Sequence, residues 1–388
     1  QGVLFSDDSR VFMEALKSLG YTLSIQEEEK CVQITSPGEK IPLAQASVYV
    51  GSAGTAARFL TAMLALSGGQ YEVTSSEQMK GRPMKPLLLA LEQLGVEFEY
   101  REAPYHFPFY IKGRQEKEVE RVDLNIDESS QFLSALLISL GAYAGESVIR
   151  VEGTHGMAYI DMTVRMMEQF GIKVQSENGV YKIAKQGGYQ AKKYDIEPDV
   201  SAACYFYAMA ALLGISITVS GVHEESLQGD VEFVHILEKM GCICEDTPEG
   251  ICVSKPANGI LKGVDVNMHS CSDQAITLAA IAPFADTPTT IRGIAHIRLQ
   301  ESNRIAAICT ELTRMGIRCE EGEDSITIWP GTPKPALIQT YDDHRMAMGF
   351  SLVGLRAEGI VINDPMCCKK TFENYFDVLD EIVEKIQM

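Results

Sequence analysis

The segment ALEQLGVEFEYRE (residues 90–102) decides the fold, because its first half recurs along the chain. Its hydrophobic spacing is typical of the last turns of an amphipathic helix, and its glycine stands where helices often end in a left-handed residue. The run after the glycine alternates apolar and polar residues, which indicates a strand. The matching segments are ALKSLGY (15–21), ALEQLGV (90–96), MMEQFGI (166–172), ILEKMGC (236–242) and ELTRMGI (311–317).

These copies are almost evenly spaced. The glycines lie at positions 20, 95, 171, 241 and 316, which gives steps of 75, 76, 70 and 75 residues. A sixth amphipathic segment, FENYFDVLDEIVEKIQM (372–388), follows about one period later. A common helix ending explains a single copy but not five at one period, so we predict six helix-and-strand units.

The shortest step contains the charged stretch KKYDIEPDVS (192–201), which includes Pro198 and predicts a domain boundary. With 388 residues the chain also exceeds the size at which one core usually stops growing. We therefore expect an α/β protein with an N-terminal domain, residues 1–197, and a C-terminal domain, residues 198–388. Each domain would contain three units.

Composition excludes several classes of function. A net charge of −19 argues against binding to nucleic acid or to an anionic membrane. The ten cysteines form no CxxC pair, which favours reduced thiols over zinc ligands. The most apolar stretch, 202–217, is too short and too mixed for a membrane span, and the opening QGVLFSDDSR lacks the pattern of a signal peptide. We expect a cytoplasmic protein.

In the first half, polar residues stand where helices are predicted to begin. GSAGTAARFLTAML (51–64) places small residues before an apolar helix that carries Arg58, and exposed N–H groups at such a helix start suit an anion. Arg82 precedes Pro83 at the next helix start. Ser129, Ser130 and Gln131 precede another apolar helix and either cap it or bind a phosphate.

In the second half, Asp273 lies at the start of a nearly uncharged helix, where it caps the helix or accepts a proton. Glu301 and Arg304 are three residues apart and should be neighbours on a helix. The stretch YDDHRMAMGF (341–350) fits a metal site, a proton-transfer site or a helix start. We interpret it as a helix start whose Arg345 provides the useful charge.

An ordered set of motifs resembles the 5-enolpyruvylshikimate-3-phosphate synthase family, the shikimate-pathway transferases that glyphosate inhibits. The motifs are GSAGTAAR, GRPMKPLLLALEQLG, SSQFLSALLISL, YIDMTVRMMEQFG, LQGDVEFVHILEKMG, SDQAITLAAIAPFAD, RLQESNRIAAICTEL, YDDHRMAM and DPMCCKKTF. The resemblance implies two domains, each of three βαβαββ units, with the active site in the cleft between them. It also implies transfer of the enolpyruvyl group of phosphoenolpyruvate to the 5-hydroxyl of shikimate 3-phosphate, without metal or organic cofactor, in a protein expected to be monomeric.

The resemblance also implies roles for individual residues. Asp273 would accept the hydroxyl proton, and Glu301 would handle the methylene proton. The phosphoenolpyruvate ligands would be Gly54, Arg82, Gln131, Arg304, Arg345 and Lys370. The ligands of shikimate 3-phosphate would be Ser129, Ser130, Gln131, Asp273, His296 and Gln300.

The sequence departs from the family at several positions. The family's Lys-Ser segment, which comes before a stretch like FSDDSR, does not precede it here. Gln300 replaces a lysine, His296 an asparagine and Gly156 a serine, and each change alters a contact to shikimate 3-phosphate. The sequence therefore predicts an N-terminally incomplete or degenerate member of the family with reduced activity.

Two alternatives stay open from the sequence. One is the related transferase that acts on UDP-N-acetylglucosamine, although SSEQMKGRP (75–83) lacks the cysteine that this family usually carries before its Arg-Pro pair. The other is a non-catalytic protein that binds phosphorylated ligands.

Overall fold

The computed structural model describes residues 1–36, 38, 40–114, 120–143, 145–184 and 187–387. The chain divides into two compact units, Gln1–Ile196 and Glu197–Met388. Each unit contains its own hydrophobic core. Over the described residues, no helix has both the length and the apolar character needed to span a membrane.

The first unit alternates helices and strands. Its helices are α1 (Asp7–Ser18), α2 (Gly54–Leu66), α3 (Glu77–Lys80), α4 (Lys85–Gln93), α5 (Gln131–Tyr143) and α6 (Met157–Gln169). Its strands are β1 (Thr22–Gln26), β2 (Cys31–Thr35), β3 (Gln45–Tyr49), β4 (Gln70–Thr74), β5 (Glu97–Tyr100), β6 (Phe109–Lys112), β7 (Glu120–Asn125), β8 (Ser147–Glu152), β9 (Val174–Glu177) and β10 (Val180–Ile183).

The second unit is built in the same way. Its helices are α7 (Val200–Leu213), α8 (Glu232–Lys239), α9 (Ala275–Ile281), α10 (Arg304–Arg314), α11 (His344–Ser351) and α12 (Tyr375–Gln387). Its strands are β11 (Ser216–Thr218), β12 (Ile243–Thr247), β13 (Gly250–Ser254), β14 (Asp265–Asn267), β15 (Thr289–Arg292), β16 (Cys319–Glu321), β17 (Ser325–Ile328), β18 (Ala336–Ile338) and β19 (Ile360–Ile362).

Three four-stranded sheets share one topology, with strand orders β3-β4-β6-β5, β7-β8-β10-β9 and β14-β15-β17-β16. In each sheet the first two strands are parallel and a helix connects them, while the last two form an antiparallel pair. This is the βαβαββ unit, and the predicted α/β class is confirmed. The other strands form partial copies: the pair β1-β2, the sheet β11-β13-β12 and the parallel pair β18-β19.

The repeated glycines end five helices as predicted. Gly20, Gly95, Gly171, Gly241 and Gly316 have φ values of 87°, 82°, 93°, 98° and 77°. After α4, for example, the N–H of Gly95 donates to Glu92 O at 3.0 Å and the N–H of Val96 donates to Leu91 O at 3.1 Å. This pair of bonds satisfies carbonyl groups at the helix end and turns the chain into the next strand.

Four helices, α2, α5, α7 and α9, are buried along most of their length. Their sequences are rich in Ala and Leu and almost free of charge, which is the composition of a helix surrounded by protein. The few polar residues near their starts are therefore held in place by packing. Several candidate residues lie there.

Candidate active sites in the two units

In the first unit, polar side chains converge on Gly54 at the start of α2. A Cβ atom at this glycine would lie 3.0 Å from Arg58 Nη1, from Arg82 Nη2 and from Gln131 Oε1. We call these four residues the Gly54 site. Both arginines are largely buried, with exposed fractions of 3% and 9%.

Both arginines donate hydrogen bonds to neutral oxygens. Arg58 donates to Gln131 Oε1 at 2.7 Å and to Pro83 O at 3.1 Å. Arg82 donates to Ser52 O at 3.3 Å. These bonds orient the guanidinium groups at a helix start that itself favours an anion. The Gly54 site thus has the chemistry of a phosphate or carboxylate site.

Ser129 and Ser130 lie at the start of α5, and both are buried. The Oγ of Ser129 accepts a hydrogen bond from the N–H of Gln131 at 3.3 Å. Gly156 lies against Ser130, since a Cβ atom there would be only 2.6 Å from Ser130 Oγ. A serine at position 156 would therefore require Ser130 to move.

In the second unit, Arg304 is the first residue of α10, and its side chain is 2% exposed. Its Nε and Nη2 donate to the two oxygens of Asp343 at 2.8 and 3.2 Å. Its Nη2 also donates to Glu301 at 2.9 Å. Its Nη1 donates to Asp273 at 3.0 Å and contacts Gln300 Oε1. All five N–H groups of Arg304 therefore have acceptors within the protein.

Asp273 lies between two arginines. Its Oδ1 accepts from Arg304 Nη1 at 3.0 Å, and its Oδ2 accepts from Arg345 Nη2 at 2.8 Å. Burial raises the pKa of Asp273, but Arg345 and Arg304 outweigh burial and hold the pKa below its ordinary value. Asp273 is therefore ionised at neutral pH.

Lys370 completes this group. Its Nζ donates to Glu301 Oε1 at 2.8 Å, while the other oxygen of Glu301 contacts Arg304. The six residues Asp273, Glu301, Arg304, Asp343, Arg345 and Lys370 are called the Arg304 cluster below. Each of the three cations in this cluster contacts at least one of its three carboxylates.

The stretch around YDDHR forms a helix start, as we interpreted it. Asp343 is the N-cap of α11 and accepts from the N–H of Arg345 at 3.0 Å. His344 is buried, and burial and the neighbouring Arg345 lower its pKa to about 3, so it is neutral at pH 7. Among the residues that the structure describes, no group of three or more His, Cys, Asp or Glu side chains could hold a metal ion.

His296 and Gln300 lie next to the Arg304 cluster. Ser272, the residue before Asp273, is hydrogen-bonded through its Oγ to His296 Nε2 at 2.7 Å. Gln300 contacts Arg304 directly. The structure thus brings together the candidate residues of the second unit.

The sequence does not indicate the contacts of three residues, two of them within these sites (Arg58 and Asp343) and one nearby (Asp230). Arg58 was noted on its helix but not assigned to a site. Asp343 belongs to the stretch that we interpret as a helix start, yet it also contacts Arg304 through both oxygens. Asp230 is buried and accepts from Ser201 Oγ at 2.9 Å and Gln274 Nε2 at 3.2 Å. Nothing in local spacing indicates these contacts, because the partners are distant in sequence.

Comparisons with known proteins give a consistent result. A family model described as EPSP synthase (3-phosphoshikimate 1-carboxyvinyltransferase) matches residues 1–379. A 3-phosphoshikimate 1-carboxyvinyltransferase of Nostoc punctiforme is 40% identical over 389 residues, which cover 99% of this chain and 90% of that protein. The chloroplastic enzyme of Arabidopsis thaliana is 39% identical over 399 residues, which cover 98% and 77%.

Solved structures agree with the sequence comparison. An EPSP synthase structure from Acinetobacter baumannii superposes with a TM-score of 0.80 at 25% identity, covering 97% of this chain and 88% of that one. The family model spans nearly all of the sequence, and the relatives are similar along almost its whole length. The chain therefore belongs to the EPSP synthase family.

Proposed function

We propose that this protein transfers the enolpyruvyl group of phosphoenolpyruvate to the 5-hydroxyl of shikimate 3-phosphate and releases phosphate. The observation that carries the proposal is the pair Arg304 and Arg345, which contact one carboxylate from two sides at 3.0 and 2.8 Å. Guanidinium groups arranged in this way suit the carboxylate of a small anionic substrate.

Binding would use both sites described above. Arg304 and Arg345 would take the carboxylate of phosphoenolpyruvate, and Arg82 and Lys370 its phosphate. Gln131 contributes its amide to the same substrate, and Gly54 leaves room for it because it has no side chain. Ser129, Ser130, Gln131, Asp273, His296 and Gln300 would bind shikimate 3-phosphate.

The reaction then needs two proton transfers. The carboxylate of Asp273 accepts the proton of the 5-hydroxyl as the hydroxyl oxygen forms a bond to C2 of phosphoenolpyruvate. Glu301 enters this step as the carboxylic acid: it supplies its proton to the methylene carbon and becomes the carboxylate that Arg304 and Lys370 stabilise. Phosphate leaves the resulting tetrahedral intermediate, and the methyl group returns a proton to Glu301 as the double bond forms again. The cations of the Arg304 cluster offset the negative charge of the intermediate.

The test is a phosphate-release assay with phosphoenolpyruvate and shikimate 3-phosphate, with the enol ether product identified by NMR. We expect phosphate only when both substrates are present, and no product from the variant Asp273→Asn. Phosphate release with UDP-N-acetylglucosamine instead of shikimate 3-phosphate would contradict the proposal. Binding of both substrates without product would instead support a non-catalytic protein. The cytoplasmic location and the monomeric state expected from the sequence stay predictions.

A further inference from the structure

The arginine pair proposed for the substrate carboxylate is already bound to a carboxylate of the protein. Both oxygens of Asp273 are used, one by Arg304 and one by Arg345. This is the arrangement that a substrate carboxylate would need. Asp273 and phosphoenolpyruvate therefore require the same N–H groups.

Arg304 has no N–H group left for a further ligand, because all five have acceptors within the protein. A substrate carboxylate can bind it only by replacing an existing acceptor. Asp343 is a poor candidate for replacement: it is fully buried, holds Arg304 through two N–H groups and also accepts from Ser302 Oγ at 2.9 Å. Asp273 contacts Arg304 through one N–H group.

The exposed fractions of the carboxylate side chains also favour replacement of Asp273 over replacement of Asp343. The side chain of Asp273 is 19% exposed, that of Glu301 is 11% exposed, and that of Asp343 is 0% exposed. Arg345 is 12% exposed. The contact between Asp273 and Arg345 is thus the part of the cluster that an anion can reach.

We propose, on the basis of the function proposed above, that Asp273 occupies the substrate carboxylate position until phosphoenolpyruvate displaces it, and that displacement converts Asp273 into the catalytic base. The carboxylate that competes with the substrate is the one that later takes the hydroxyl proton. Base activation would thus depend on the presence of phosphoenolpyruvate.

Electrostatics support this sequence of events. The groups that act on Asp273 include Arg345, Arg304, Glu301 and His344. The two arginines keep its pKa low, and a carboxylate with a low pKa is a weak base toward an alcohol. Once the arginines contact the substrate carboxylate, they stabilise the Asp273 anion less. The proton affinity of Asp273 therefore rises at the stage of the reaction at which it must accept the proton of the 5-hydroxyl.

The experiment is to measure the affinity for phosphoenolpyruvate by calorimetry with the complete chain at pH 8. Asp273→Asn removes the competing carboxylate and should bind phosphoenolpyruvate at least tenfold more tightly than the unmodified protein, while turnover is lost. Asp273→Ser repeats the measurement with a smaller side chain, in case the asparagine variant folds poorly.

Asp230→Asn is the matched control. Asp230 lies in the same electrostatic field as Asp273 but accepts hydrogen bonds from Ser201 and Gln274, not from the two arginines. If the tighter binding came only from removal of a negative charge, this variant would show it too. The inference predicts less than a twofold change.

Three results would overturn the inference. Equal or weaker binding by the Asp273 variants would show that Asp273 does not compete, and would leave the proposed function standing. If Asp230→Asn gained as much affinity for phosphoenolpyruvate as the Asp273 variants, the tighter binding would come from the loss of any nearby negative charge and not from removal of a competing carboxylate. No binding by any of the proteins would overturn the proposed function together with the inference.

Discussion

The two candidate sites hold their cations in different ways. In the Gly54 site, Arg58 and Arg82 donate to an amide oxygen and to main-chain carbonyl groups, which carry no charge. In the Arg304 cluster, the cations contact the carboxylates of Asp273, Glu301 and Asp343. An anion that binds the Arg304 cluster must therefore replace a carboxylate that is already there.

This difference has consequences for stability. Removing a hydrogen bond to a neutral oxygen leaves no buried charge behind. A cation that neutralises buried carboxylates does leave such charges, and an unpaired buried charge is among the costliest defects in a protein interior. Substitutions in the two sites should therefore have unequal effects.

The largest effect is expected for Arg304→Met. This substitution leaves Asp343, which is fully buried, without the two N–H groups that it contacts, and we expect the free energy of unfolding to fall by about 3–5 kcal/mol. The matched variant in the other site is Arg82→Met. Among the interactions that it loses is a 3.3 Å bond to the neutral carbonyl of Ser52, and we expect a smaller loss, of about 1 kcal/mol. Urea unfolding followed by circular dichroism measures both. Equal losses would remove the distinction between the two sites.

The second prediction concerns Asp230, whose pKa burial and the nearby Asp273 raise from 3.8 to about 6. The folded state thus holds this proton more tightly than the unfolded state. The contribution of Asp230 to stability must therefore fall as pH rises from about 4 to above 6, by about 3 kcal/mol. Asp230→Asn does not titrate, so its stability relative to the unmodified protein should increase by that amount over this range.

Urea unfolding at pH 4 and at pH 7.5 tests the sign. Asp265 is the control, because its contact with Arg292 lowers its pKa. That carboxylate contributes more stability as pH rises, so Asp265→Asn should lose stability relative to the unmodified protein over the same range. The same direction in both variants would contradict the buried, repulsive environment assigned to Asp230.

The third prediction returns to the Gly54 site. Gly54→Ala places a Cβ atom 3.0 Å from both guanidinium groups and from the Gln131 amide, in the space where an anion would bind. We expect the KM for phosphoenolpyruvate to rise about tenfold, or about 1.4 kcal/mol, with little change in melting temperature, because alanine favours the helix. Gly81→Ala is the control, since its Cβ would be 3.7 Å from the nearest atom. An unchanged KM in Gly54→Ala would argue against an anion at this position.

The fold could be predicted largely from local signals. A helix that ends at a glycine and continues into a strand is a property of about ten consecutive residues, so five copies could be found along the sequence. Local signals could not show which units are complete: among the described residues, three of the sheets contain all four strands of the βαβαββ unit and the others contain fewer. The partial sheets depend on which strands pair, and pairing partners are distant in sequence.

The candidate residues show the same limit. Glu301 and Arg304 are predicted to be neighbours on a helix. Their 2.9 Å contact confirms that they are neighbours, but the helix is wrong for Glu301, which lies before the first residue of α10. The contact between Arg304 and Asp343 joins residues 39 positions apart on two helices. The sequence could therefore indicate which residues are charged. It could not indicate that the two arginines proposed to bind the substrate carboxylate, Arg304 and Arg345, already contact a carboxylate of the protein.

The smallest effect is expected at the turn that positions Asp343. The two residues before it, Tyr341 and Asp342, have φ values of 57° and 54°, a conformation that costs energy for side chains of this kind. Glu311 is fully buried and stabilises the turn by accepting from Tyr341 Oη at 2.6 Å and from Gln339 N at 3.1 Å. The Tyr341 hydroxyl thus helps to keep Asp343 in register with Arg304.

Tyr341→Phe removes this hydrogen bond, and because Tyr341 is 41% exposed we expect a loss of only about 1 kcal/mol in stability. The KM for phosphoenolpyruvate should also rise by about two- to fivefold, since Arg304 loses part of its support. Tyr100→Phe removes an equivalent bond, to Glu92 at 3.1 Å, in the first unit. It should lose similar stability with no change in KM. If both variants changed KM equally, the bond at Tyr341 would stabilise the fold without positioning the Arg304 cluster.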